Sequence, residues 1–189
     1  LLETVKDIIL PIIDSVRADS PGVAFKWGMV GYRDFESTSY NNEPEYTANA
    51  LRVYSVLTSN VSAFLATFDI EMVAQGGGDT PEAQLDVLKW VATHWESDLG
   101  GSDAQKLVIW IGDAPGWEGT RPVAAGAENS GRVYATVNQV RSSLMSAGVS
   151  LLALNLKPQS EGIDGWTTVP EIRQASALTS ALPHSAIVN

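Results

Sequence analysis

Several residue types are scarce in this sequence, and each absence excludes a class of protein or site. The sequence has no cysteine and only two histidines, His94 and His184. Disulfides and thiolate metal sites are therefore excluded, and a multi-histidine zinc site is not expected. Basic residues are also few, since 12 Lys and Arg stand against 22 Asp and Glu for a formal net charge of −10. Nucleic acids and anionic membranes need a basic face, so we expect neither as the main partner.

Long apolar runs are missing as well. The run IILPII at 8–13 is too short to cross a membrane and is interrupted by Pro11, so we expect no membrane insertion. Of the 189 residues, 44% are hydrophobic, which fits an ordinary domain with a sizeable core. The sequence shows no internal repeat or linker, so we predict a single domain over 1–189.

Hydrophobic periodicity predicts an alternation of helices and strands. Helices are predicted at 1–19, 59–68, 84–95, 132–148 and 169–181. Strands are predicted at 23–32, 51–57, 106–113, 149–156 and 184–189. Several of the strands are nearly continuous apolar runs, as in sheets that are covered on both faces. The order of elements therefore indicates an α/β fold with an open, mostly parallel sheet and helices on both of its faces.

Acidic residues lie where the predicted sheet has its carboxyl edge. Asp34 follows the first strand in GYRDF, Asp113 ends a strand in IGDAPGW, and Asp79 and Glu82 lie in GGGDTPEA before a helix. A cap or turn explains each acid on its own, and Pro81 suits a first helical turn with Asp79 or Thr80 as its N-cap. Ligands of open α/β sheets bind at this edge, and hard cations such as Mg²⁺ take carboxylate and hydroxyl oxygens. Together the acids favour a divalent cation site.

These motifs resemble the von Willebrand factor type A domain. VGYRDF, GGGDTPEA and the strand ending IGDAP are similar to the GYRD, GGGDxPE and ADAP motifs of one branch of that family. The resemblance covers nearly the whole chain. It implies a doubly wound, mostly parallel sheet with one antiparallel edge strand. It also implies a metal-ion-dependent adhesion site, where Mg²⁺, or Ca²⁺ or Mn²⁺, keeps one coordination position for an acidic side chain of a protein partner.

The resemblance also assigns roles to individual residues. Thr80 and Asp113 match metal ligands of the family, and Glu82 and Asp79 match acidic positions that ligate in a variant of the site. Of these last two, Glu82 matches a direct ligand better. The loop positions expected around the ion are Asp34, Gly77, Gly78 and Trp117. The glycines would let the backbone approach the ion closely, and Asp34 would brace the neighbouring loops. Trp117 suits a contact surface, and packing within its loop explains it equally well.

One motif of the family has no counterpart here. Asp-x-Ser-x-Ser ends the family's first strand just before its first helix, and this sequence starts in that helix with LLETVKD. We therefore expect a gap in the sheet at the place of that strand. A preceding N-terminal segment or another chain would supply the strand as a donor, and in either case this chain holds part of the metal site. A variant that has lost the site is the third explanation.

Three functions remain at this point. The first is a non-catalytic, metal-dependent protein-binding domain of a secreted or surface protein. The second is a scaffold module with an incomplete metal site, at the surface or inside the cell. The third is a metal-dependent hydrolase or a nucleotide-binding enzyme. GGGDTPEA has neither the Gly-Lys-[Ser/Thr] ending of a P-loop nor the G-x-G-x-x-G pattern, and the sequence has no G-x-S-x-G elbow. We therefore expect no catalysis, and we expect His94 to be a surface or half-buried residue in the middle of its helix rather than a base.

Overall fold

The chain has a mixed α/β architecture. The computed structural model describes residues 2–32, 51–70, 83–101, 105–112, 116, 118–120, 133–155, 174, 177–180, 182 and 186–188. The helices are α1 (Leu2–Asp19), α2 (Val61–Ile70), α3 (Gln84–Thr93) and α4 (Val137–Ser146). The strands are β1 (Trp27–Tyr32), β2 (Leu51–Thr58), β3 (Lys106–Gly112), β4 (Gly119–Thr120), β5 (Val133–Tyr134), β6 (Val149–Asn155) and β7 (Ala186–Val188). None of the helices in these ranges has the length and apolar character to cross a membrane.

Three groups of strands pair among the described residues. β3, β6 and β7 form a parallel sheet in the order β3-β6-β7, and β3 pairs with β6 from Lys106 opposite Val149 to Gly112 opposite Asn155. β1 and β2 pair antiparallel with an irregular register near Met29, and β4 and β5 form a short antiparallel pair. The predicted α/β class with a parallel sheet is confirmed at this level.

Helices α3 and α4 cover one face of the parallel sheet. Their core contains Leu85, Leu88, Val140 and Leu144 packed on Trp110, Leu151 and Ala153 from β3 and β6. The helical residues follow the spacing of three and four that brings side chains to one side of a helix. Burying each large aliphatic side chain contributes about 1.5–3 kcal/mol, so this cluster anchors the carboxyl half of the fold.

Helices α1 and α2 form a second cluster on the other face. Val5, Ile9 and Ile13 of α1 and Phe64 of α2 are buried together, against Trp27 and Met29 of β1 and Ile111 of β3. Pro11 lies inside α1 at an exposed position, where it has no N–H to give the helix. Trp110 packs in the α3–α4 cluster and its neighbour Ile111 packs against α1, so helices contact β3 from both faces.

The predicted helix at 132–148 was wrong at its start. Val133 and Tyr134 form β5, and α4 begins only at Val137. Thr136 caps that helix in a capping box, since its hydroxyl accepts from the Gln139 N–H and the Gln139 side chain accepts from the Thr136 N–H. The reciprocal bonds satisfy two N–H groups that the first helical turn leaves open, which fixes the helix start at this point.

The helix after GGGDTPEA is also shorter than predicted. α3 begins at Gln84, as predicted, after Ala83, which makes no side-chain cap. It ends at Thr93 rather than Trp95, because the chain turns at His94, whose carbonyl oxygen accepts from the Asp98 N–H at 3.1 Å. The predicted N-caps Asp79 and Thr80 lie outside the described residues.

The β1–β2 pair and the parallel sheet lie side by side without a ladder between them in the described ranges. The same helices cover both, because α1 packs on Trp27 and on Ile111, while α3 contributes Val87 to a cluster with Leu51 of β2 and Val108 of β3. The sequence predicts a gap in the sheet at the place of a missing strand. In the described ranges, strand pairing is interrupted between β1 and β3.

Candidate functional site at the carboxyl end of β3

The structure describes the flanks of the predicted site rather than its residues. The predicted metal ligands Thr80, Asp113, Glu82 and Asp79 all lie outside the described residues. So do the predicted loop positions Asp34, Gly77, Gly78 and Trp117. The described flanks are Tyr32, Gly112, Gly116 and the first turn of α3. Their arrangement shows whether the chain enters or leaves the three motifs in the same region of the fold.

The carboxyl ends of β1 and β3 lie next to each other. The Tyr32 hydroxyl, on the last residue of β1, donates to the Ile111 carbonyl oxygen at 2.9 Å. A Cβ at Gly112 would lie 2.5 Å from that hydroxyl oxygen, so a side chain at this position would displace the Tyr32 hydroxyl. Asp34 and Asp113 follow Tyr32 and Gly112 by two residues and one residue. The described residues that precede Asp34 and Asp113 are therefore linked by a hydrogen bond.

The first turn of α3 meets the chain just beyond β3. A Cβ at Gly116 would lie 3.0 Å from Leu85 Cγ and 3.2 Å from Gln84 Cγ, so the backbone here packs directly on the helix start. Ala83, which immediately precedes the helix, is fully buried. The GGGDTPEA motif ends at Ala83, so its last residue immediately precedes the helix start that Gly116 contacts.

Gln174 fastens this loop from a distant part of the sequence. Its side-chain amide donates to the Gly116 carbonyl oxygen, and its Oε1 accepts from the Gly116 N–H, both at 2.8 Å. Gln174 is 7% exposed, so water does not compete for these bonds. Sequence reasoning missed this residue, because a glutamine within a predicted helix gives no signal that it will bond to a backbone 58 residues away.

The start of α4 is tied to the same region. Glu118 Oε1 accepts from the Val137 N–H at 2.9 Å, in the first turn of α4. The Asp86 carboxylate, in the first turn of α3, accepts from the Ala135 N–H at 3.2 and 3.3 Å. The beginnings of α3 and α4 and the segment after β3 therefore converge at the carboxyl edge of the parallel sheet.

His94 belongs to the opposite end of α3. It is half-buried, its Nδ1 lies 2.9 Å from the Trp90 carbonyl oxygen and from Thr93 Oγ1, and its ring stacks on Trp90 with centroids 4.6 Å apart. Because α3 starts at the candidate edge, the position after its last turn lies a helix length away. These contacts account for His94 as a packed residue at a helix end.

The described residues alone do not make a metal centre. In the ranges that the structure describes, no group of three or more His, Cys, Asp or Glu side chains lies together. The predicted ligands lie beyond those ranges, and their chemistry, three carboxylates and one hydroxyl, suits a hard divalent cation. The described part fixes where the segments with the predicted ligands begin.

Comparison with known proteins gives a likeness of fold. No protein-family model matches the chain, and no curated protein matches it. Among solved structures, the chain is similar to proximal thread matrix protein 1 from the mussel byssus, with a TM-score of 0.59 and 16% identity. The match covers 100% of this chain and 38% of that one, so this chain spans little more than a third of its neighbour. At this identity the likeness concerns the fold alone.

Proposed function

We propose that this chain is a von Willebrand factor type A-like domain that binds a protein partner through a divalent cation and performs no catalysis. One observation carries the proposal: the flanks of the three acidic motifs converge, with Tyr32 bonded to Ile111 and Gly116 packed on Leu85. The doubly wound, mostly parallel sheet belongs to the same proposal. It is supported by the parallel order β3-β6-β7 and by the antiparallel β1–β2 pair.

The residues proposed to hold the ion are Thr80, Asp113, Glu82 and Asp79. Thr80 and Asp113 would be the principal ligands, Glu82 would ligate directly, and Asp79 would assist. Mg²⁺, or Ca²⁺ or Mn²⁺ in its place, would supply a positive charge with one open coordination position for a carboxylate of the partner. Asp34, Gly77, Gly78 and Trp117 would lie in the loops around the ion, where Gly77 and Gly78 would let the backbone approach it, Asp34 would brace the loops and Trp117 would contact the partner.

A secreted or cell-surface location belongs to this proposal. The support is indirect, because the structural neighbour is by its name a matrix protein of the mussel byssus. The strongly acidic composition, with a formal net charge of −10, also disfavours docking on anionic membranes or nucleic acids. A protein surface that presents an acidic side chain towards a bound cation is the partner that fits both the charge and the proposed ligands.

Thermal unfolding with and without divalent cations tests the proposal. The chain would be melted in EDTA and then in millimolar Mg²⁺, Ca²⁺ or Mn²⁺. A ligand present at about 100 times its Kd stabilises the folded state by about 2.7 kcal/mol, which for a domain of this size raises Tm by about 5–10 °C. We expect that rise, and we expect Asp113→Ala to abolish it while leaving the melt in EDTA nearly unchanged.

The matched control is Asp14→Ala. It also removes one carboxylate, but from an exposed position on α1, so the cation response should persist. An unchanged Tm in every cation, with the unsubstituted chain well folded, would rule out metal-dependent binding by this chain. Unfolding of Asp113→Ala in EDTA would assign Asp113 a structural role instead.

The structural neighbour favours a scaffold module as the second candidate. A matrix protein with a similar fold suggests that this architecture can serve in an assembly, whether or not an ion is bound. The two candidates differ in one readout. A scaffold module with an incomplete site would bind its partner equally well in EDTA and in Mg²⁺, whereas the leading proposal requires the cation.

A donor strand is the remaining part of the proposal. β1 and β3 are covered by the same helices, and no ladder joins them in the described ranges. A further strand, apolar on both faces, would pair with both edges and complete one continuous sheet. We propose that an additional segment of the protein or another chain supplies it, and that the same strand brings the remaining metal ligands.

A further inference from the structure

The short segment after β3 is fastened at both of its ends. At one end, Gly112 is the last residue of the β3–β6 ladder, and the preceding carbonyl, on Ile111, is bonded to Tyr32. At the other end, Gly116 is held by Gln174 and packs on Leu85. Only the three residues 113–115 connect these two fixed points. The described residues on both sides of this stretch are therefore held in place by hydrogen bonds.

The hold on Gly116 depends on the chemistry of a primary amide. Gln174 donates to the carbonyl oxygen and accepts from the N–H of the same residue, as a neighbouring strand would. A carboxylate of the same shape accepts but does not donate, and it would face the Gly116 carbonyl oxygen with negative charge. An apolar side chain would leave both buried backbone groups without these bonds.

We propose that Gln174 is a positioning residue for the cation site, an inference that rests on the proposed function. By fixing Gly116 against the first turn of α3, it sets the distance between the segment that contains Asp113 and the helix that follows Thr80 and Glu82. Gln174 touches no ligand among the described residues and acts through the backbone of Gly116. Residues that orient metal ligands from outside the coordination sphere change metal affinity by about 10- to 100-fold when they are replaced.

The first test measures Mn²⁺ affinity. The readout is the electron paramagnetic resonance signal of free Mn²⁺, recorded at a temperature well below the Tm of every variant. We expect Gln174→Leu to bind Mn²⁺ about 10- to 100-fold more weakly than the unsubstituted chain. Val140→Ala is the matched control, because it destabilises the core at a fully buried position of α4 without touching Gly116. It should lower Tm and leave the Mn²⁺ affinity unchanged. Equal Mn²⁺ affinity in folded Gln174→Leu would overturn the inference.

Gln174→Glu separates the hold on Gly116 from metal binding. In EDTA, the protonated side chain both donates and accepts, as glutamine does, whereas the ionised side chain does not donate. Burial raises the pKa of the introduced carboxyl group above its value in the unfolded chain, so the variant is most stable in acid and loses stability as pH rises. We expect its Tm deficit against the unsubstituted chain to shrink below pH 5 and to grow towards pH 7.

The two arms distinguish the possible failures. A deficit in Gln174→Glu that is independent of pH would overturn the hold on Gly116 itself. Acid rescue together with no Mn²⁺ binding by the unsubstituted chain would overturn the proposed function, and the positioning role with it, while the hold on Gly116 would stand as a structural feature.

Discussion

At the residue scale, the space around Gly116 leaves little room for any side chain. A Cβ there would lie 3.0 Å from Leu85 Cγ and 3.2 Å from Gln174 Oε1, closer than side chains ordinarily pack. We predict that Gly116→Ala lowers the free energy of unfolding by about 1–3 kcal/mol, because inserting a methyl group into a packed site forces its neighbours to shift. Urea unfolding measures the effect.

Ser142→Ala is the control for that substitution. Ser142 is exposed on α4, and surface replacements of this kind change stability by less than about 0.5 kcal/mol. If Gly116→Ala cost no more than Ser142→Ala, then the loop after β3 could move away from α3 freely. The tight packing at Gly116 and the proposed positioning of the segment before it would then both be wrong.

At this scale the sequence predicted the motifs, but it did not predict the hydrogen bonds of Tyr32 and Gln174 that hold the residues beside them. Acids and glycines at strand ends are visible in the letters, and the described flanks of those motifs do come together through Tyr32, Ile111 and Gly116. The Tyr32 and Gln174 bonds join positions 79 and 58 residues apart. Such bonds depend on the tertiary arrangement, which no local pattern encodes.

At the scale of elements, the start of α4 depends on its capping box. The Thr136 hydroxyl accepts from the Gln139 N–H at 3.3 Å, and Gln139 Oε1 accepts from the Thr136 N–H at 2.9 Å. We predict that Thr136→Ala lowers the free energy of unfolding by about 1 kcal/mol, the usual cost of removing an N-cap oxygen. Chemical denaturation of the two proteins under identical conditions gives the difference.

Thr67→Ala is the matched replacement for that experiment. The Thr67 hydroxyl donates to the Ala63 carbonyl oxygen inside α2, a bond that helices do not need. Its removal should be neutral or slightly stabilising, since alanine is the better helix former. A loss of equal size in both variants would show that threonine packing, rather than capping, accounts for the effect at Thr136.

The elements that periodicity predicted best are those whose burial is regular. β3 and β6 were found within one residue of their ends, because each is a nearly continuous apolar run between polar segments. β5 was missed because Val133 and Tyr134 continue the helical pattern of the residues after them, and only the cap at Thr136 separates the two elements. A two-residue strand is too short to produce a period of its own.

At the scale of the whole molecule, the helices hold together two groups of strands. α3 contributes Leu85 and Leu88 to the cluster on β3 and β6, and Val87 and Val91 to the cluster with β2. α1 likewise packs against both β1 and β3 through one buried face. Side-chain packing therefore aligns the β1–β2 pair with the parallel sheet. In the described ranges, no backbone hydrogen-bond ladder joins β1 to β3.

Amide hydrogen exchange along β3 tests the open edge between β1 and β3. The Ile111 carbonyl is bonded from the β1 side, and N–H and C=O groups of one residue point the same way in a strand, so Leu107 and Ile109 direct their N–H groups towards β1. Val108 and Trp110 direct theirs towards β6, with which β3 pairs along its length.

We predict that the amides of Leu107 and Ile109 exchange about 100-fold faster than those of Val108 and Trp110 in the 189-residue chain, because ladder amides exchange only through costlier openings. A protein extended by the proposed donor strand should protect both sets equally, and the difference between the two proteins maps the strand onto this edge. Equal protection in the 189-residue chain alone would mean that β1 and β3 need no further strand. The cation site would then have to be completed by residues that this chain already contains.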